Sequence, residues 1–72
     1  MNSFPVESIT ELSALVRKRR KEQKFTQQEL ALYANVGRRF VIDLEAAKPT
    51  LRFDKLASVM KTLGLHIRID AA

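Results

Sequence analysis

The sequence predicts a mainly α-helical fold: a bundle of four to five short helices followed by one C-terminal β-strand that pairs across a homodimer. Three observations point to it. Apolar residues recur at i, i+3 and i+4 along most of the chain. Ser8 and Thr26 each stand three positions ahead of a glutamate, Glu11 and Glu29, which is the spacing of a helix capping box. The period then changes, with Leu65, Ile67 and Ile69 alternating with His66, Arg68 and Asp70. With 72 residues the chain holds one domain, and a chain this short buries only about 60% of the surface its unfolded form exposes.

Taken in order, residues 1–8 form a short lead. A first helix starts at Ser8 and runs from about Ile9 to Gln23, with Ile9, Leu12, Leu15 and Val16 on its inner face. Thr26 caps a second helix that turns Leu30 and Ala31 inward and stops near Asn35. Asn35-Val36-Gly37 contains two residues that tolerate turn or left-handed backbone, so a tight bend is expected there. Arg38 to Ala47 reads as a third helix with Val41 and Leu44 inward, broken by Lys48-Pro49-Thr50. A fourth runs from about Arg52 to Leu63, with Phe53, Leu56, Val59, Met60 and Leu63 as its core face and Gly64 as its stop. The helical domain thus spans residues 9–64, and residues 65–72 form the dimerisation strand and tail. A strand cannot satisfy its own amides and carbonyls, and no second strand pattern occurs in the chain. Its cheapest partner is the same strand of a second copy, with Leu65, His66, Ile67, Arg68 and Ile69 at the interface.

Composition excludes several kinds of chemistry. There is no Cys and a single His66, so neither a disulfide framework nor a thiolate metal site is available, and no cofactor or metal is expected. No apolar run approaches membrane-spanning length, and the start of the chain is acidic where a signal peptide is basic. A cytoplasmic protein is expected. Hydrophobic content of 46% with 29% charged residues fits a folded domain. The net charge of +5 equals the charge of residues 17–24 (RKRRKEQK) alone, so the positive field is clustered. Such clustering suits a polyanion, because cations that neutralise phosphates release condensed counterions.

Two short helices joined by a tight turn, with Arg38 and Arg39 opening the second, describe a helix-turn-helix. An arginine carried by such a helix into the major groove reaches guanine O6 and N7 with two hydrogen bonds, worth about 1 to 3 kcal/mol of discrimination. The stretch FTQQELALYANVGRRFVIDLEAAK resembles the XRE-type helix-turn-helix of lambdoid phage repressors and Cro, with the likeness covering about residues 12–64. Its signature is Thr26-Gln27-Gln28-Glu29-Leu30-Ala31, followed by the valine turn and a closing Leu44-Glu45. More narrowly, GRRFVIDLEAAKPT with a following helix and LGLHIRID resembles HipB-like antitoxins, in which a C-terminal strand pairs across the dimer.

That resemblance implies roles by position. Gln27, at the start of the second helix with Gln28 beside it, matches the family residue that bonds a DNA phosphate and can reach a base, and Arg38 and Arg39 match positions that read base edges. Gly37 stands where the family often carries Ser or Thr, which removes a hydroxyl contact. Phe40 occupies a position where it either touches a thymine methyl or packs inward, and its bulk favours packing. Asp43 either accepts from cytosine N4 or orients Arg39 one turn earlier, and the second role avoids an unpaired carboxylate in a phosphate-lined groove. Lys48, Thr50 and Arg52 match a loop that clasps phosphate and positions without specifying. Arg20 and Glu45 match a buried family salt bridge, and Arg19 stands where apolar residues are common, so its stem covers core while its head reaches water. Arg17, Lys18, Lys21 and Lys24 are expected to stay solvated or to touch DNA or a partner weakly.

The leading expectation is a dimeric repressor of a palindromic operator, its two recognition helices about 34 Å apart. The HipB resemblance adds a HipA-like serine/threonine kinase toxin as a second partner. A stand-alone regulator or a protein-interaction module is the alternative. An enzyme is not expected, since Glu29, Asp43 and Glu45 all have structural readings and no phosphate-binding glycine loop exists.

Overall fold

Four helices order the chain: α1 (Ile9–Glu22), α2 (Gln27–Ala34), α3 (Arg38–Glu45) and α4 (Phe53–Thr62). They belong to a computed structural model that describes residues 6–49, 52–69 and 71. At the start of α1 the Glu11 amide donates to Ser8 Oγ at 3.1 Å. The Glu11 carboxylate accepts from the Glu7 amide instead of the Ser8 amide, so the capping box there is half formed. At α2 the box is complete: the Glu29 amide donates to Thr26 Oγ1 at 3.0 Å and the Thr26 amide to Glu29 Oε1 at 2.9 Å.

All four described helices end in the same way. A left-handed residue closes each: Lys24 (φ 60°), Ala47 (φ 59°) and Gly64 (φ 73°) directly after the C-caps of α1, α3 and α4, and Asn35 (φ 56°) as the C-cap of α2 itself. The amide after each of these reaches back five residues to a carbonyl: Phe25 to Arg20, Val36 to Ala31, Lys48 to Asp43, and Leu65 to Met60. This is the Schellman arrangement, which satisfies carbonyls that a helix end leaves open. It also stops α3 at Glu45, two residues before the expected Ala47, because a residue with positive φ cannot continue a right-handed helix.

The core forms where the apolar faces converge. α2 packs on both α3 and α4, and α1 packs on α3. Val16, Leu30, Val41, Leu44, Val59 and Leu63 are fully buried, each contributing about 1.5 to 3 kcal/mol of transfer free energy. Leu12, Phe25, Val36, Phe40 and Leu65 pack around them half-buried. Phe53 departs from expectation: it is 64% exposed. It is the first residue of α4, one turn before Leu56, the first buried position of that helix.

The C-terminal strand is also not realised in the single chain. Residues 65–69 have no regular secondary structure, and no strand occurs among the described residues. A strand exists only through its ladder, and one copy of the chain holds no second strand to pair with. Leu65 leans on the core, whereas Ile67 and Ile69 are 43% and 88% exposed.

Candidate nucleic-acid interface

The α2–α3 unit is rigid at its turn and open at its tip. Asn35 ends α2 in the left-handed region, Val36 tucks against the core, and Gly37 begins α3 with extended backbone. Glycine has no side-chain oxygen, so the first amides of α3 carry no side-chain cap. Arg38 and Arg39, both exposed, occupy this uncapped first turn. One turn on, Val41 and Leu44 are fully buried, which fixes the rotation of α3 and keeps the arginine pair turned to solvent.

Asp43 organises the charge around that tip. Its carboxylate is 4.0 Å from Arg39 and 3.3 Å from Lys48, and its side chain is 27% exposed. Oδ1 is shielded from solvent and accepts no directed hydrogen bond among the described residues, so the two cations hold it by charge. Asp43 thus lies nearer to Lys48 than to Arg39, its neighbour one turn earlier on α3. Phe40 is half-buried against the core, with Lys55 Nζ 6.0 Å from its ring centroid. The aromatic is thus packed inward.

The other expected residues are more scattered. Gln28 is exposed on α2. Gln27 is half-buried and donates its amide to Glu45 Oε1 at 3.3 Å. Arg52 turns to its own helix, donating to both oxygens of Asp54 at 3.2 and 2.6 Å. Those bonds hold the Asp54 carboxyl below the usual carboxylate range. Thr50 lies outside the described residues.

Beneath the surface lies the Arg20–Glu45 pair. Arg20 Nε and its terminal nitrogen donate to the two oxygens of Glu45 at 2.7 and 2.9 Å, and its other nitrogen donates to the Phe25 carbonyl at 2.7 Å. Both side chains are nearly closed to solvent. The arrangement ties α1 to the last turn of α3 and to the loop that enters α2. A second clasp had no signature in the sequence: Arg19 Nε and Gln23 Nε2 both donate to the Leu63 carbonyl, at 2.9 and 2.8 Å. Arg19 also approaches Glu22 at 3.7 Å. The Ser58 hydroxyl similarly donates to the Ala34 carbonyl, closing the end of α2 against α4. Carbonyl acceptors freed at helix ends attract such donors, but which donor reaches which carbonyl depends on tertiary placement.

Comparison with known proteins agrees with this geometry. A family model described as helix-turn-helix, HTH_3, matches residues 16–69. An uncharacterized HTH-type transcriptional regulator, y4mF, from Sinorhizobium fredii (strain NBRC 101917 / NGR234) is 48% identical over 66 residues, covering 92% of this chain and 87% of that protein. Among solved structures, the HipA-HipB-O2-O3 complex aligns with a TM-score of 0.85 at 17% identity, over 96% of this chain and 97% of the other. The HipB-O4 20mer complex aligns with a TM-score of 0.85 at 18% identity, over 97% and 99%. At such identity these two share the fold. Taken with the match to three quarters of its length and the 48% identical relative, the chain belongs to the XRE-type helix-turn-helix family.

Proposed function

We propose that the chain is a sequence-specific DNA-binding transcriptional repressor, working as a homodimer on a palindromic operator. The observation that carries this reading is the exposed Arg38–Arg39 pair on an uncapped helix end whose orientation is set by the buried Val41 and Leu44. Arg38 and Arg39 read bases, Asp43 orients Arg39, and Phe40 supports them from the core side. Gln27, Gln28, Lys48, Thr50 and Arg52 serve the phosphates. Residues 65–69 pair with the same segment of a second copy. The alternation that leaves Ile67 and Ile69 exposed in one chain supports this, since pairing would cover them.

The finer reading is an antitoxin: the chain binds and restrains a HipA-like kinase and represses the operon that encodes both. Its support is the backbone likeness to HipB, including a structure that also contains HipA. The alternative, a stand-alone regulator, is supported by the 48% identical relative, described only as a transcriptional regulator. Co-expression with the product of the adjoining gene separates the two: an antitoxin elutes with that product as one species in size-exclusion chromatography, a stand-alone regulator elutes without it.

The DNA role is tested by comparing two variants on specific and random duplexes. Arg38→Ala should lose about 1 to 3 kcal/mol on the operator and relax specificity at one base pair, whereas Lys48→Ala should weaken all duplexes alike. Equal losses on operator and random DNA for both variants contradict the assignment.

A further inference from the structure

An open groove of about 450 Å³ runs between α1 and the end of α3. Arg17, Lys18 and Lys21 line its α1 side, and Ala46 and Ala47 its far side. It continues into a second opening of about 400 Å³, sharing Arg17, Glu45 and Ala46, that extends to Gln27 at the start of α2. Arg17, Lys18 and Lys21 are exposed, and among the described residues none has a carboxylate within 4.0 Å. Glu45, the acidic residue of the groove, is already neutralised by Arg20. Thr10, Ser13 and Ala14 complete the lining.

We infer that this groove binds the phosphate backbone of duplex DNA flanking the base pairs that α3 reads, an inference that rests on the DNA-binding reading above. Two features select a nucleic-acid backbone over an acidic protein. The groove is continuous with Gln27, itself assigned to phosphate, so one strand can pass from Gln27 along Arg17 to Lys18 and Lys21. It also offers no deep apolar pocket of the kind that anchors a protein partner's large side chains. The three cations then lengthen the footprint outward without adding sequence preference.

The test is the salt dependence of binding to the DNA upstream of the chain's own gene and to a scrambled duplex of equal length. R17A/K18A/K21A substitutes exposed helical sites with the best helix former, so its fold is retained. Its slope of log affinity against log salt should fall by about 2 to 3 on both duplexes. The ratio of wild-type to variant affinity should therefore shrink about 16- to 64-fold between about 50 and 200 mM salt. R17K/K18R/K21R should keep the wild-type slope. An unchanged slope in the alanine variant, with the wild type still preferring the upstream duplex, overturns the inference. A wild type that shows no preference for the upstream duplex overturns the DNA-binding reading itself.

Discussion

Arg20→Ala is expected to cost this domain about 3 to 5 kcal/mol of stability. The substitution deletes three hydrogen bonds, two to Glu45 and one to the Phe25 carbonyl. It leaves the Glu45 carboxylate, whose side chain is 5% exposed, with the 3.3 Å bond from Gln27 as its one remaining hydrogen bond among the described residues. Breaking a buried ion pair from one side costs about 3 to 5 kcal/mol, because the surviving charge stays desolvated and uncompensated. At the usual 0.05 to 0.15 kcal/mol per residue, a chain of this length has about 4 to 11 kcal/mol in total. The loss is thus a large fraction of the total. Urea unfolding followed by far-UV circular dichroism reads the effect as a fall in midpoint at constant slope. Replacing both partners by apolar residues, Arg20→Met with Glu45→Leu, should recover most of the loss, since the penalty lies in the orphaned charge. A loss below about 1 kcal/mol for Arg20→Ala, the range of exposed ion pairs, would refute the reasoning.

Three further outcomes follow from local geometry. Ala47→Gly should stabilise the chain by about 1 kcal/mol, because Ala47 holds φ 59° where a Cβ is strained, and chemical denaturation should show the gain. Thr26→Ala should cost about 1 kcal/mol by opening the capping box of α2, measured in the same assay. Ile67→Pro should abolish dimerisation, since proline removes a ladder donor; a variant that sediments as a dimer places the interface elsewhere.

How much of this was legible in the sequence is clearest at the helix ends. Asn35 and Gly64 are residue types that accept a positive φ, and both stops were readable. Lys24 and Ala47 adopt the same backbone without any compositional mark, because the following amide's bond to a carbonyl five residues back outweighs the local steric cost. That is why α3 ends earlier than its apolar period suggests. Phe53 shows the complementary limit: periodicity puts it on the inner face of α4, but a face is buried only as far as neighbouring helices extend. The terminal alternation could be read, whereas a ladder between copies is not a property of one chain. In the candidate site, the residue types and spacing of Arg38, Arg39 and Asp43 were legible because all three lie on one short helix. The turn of Gln27 toward Glu45 and of Arg52 toward Asp54 depends on side-chain competition that spacing does not encode.

The central claim is that the tip of α3 reads DNA sequence. Its most direct test is an equilibrium titration of the wild-type chain against the duplex immediately upstream of its own gene and against a scrambled duplex, at about 150 mM salt, where non-specific binding is weak. The account predicts a preference for the upstream duplex of about a thousandfold or more, as specific regulators show. Equal, weak binding to both duplexes would contradict it.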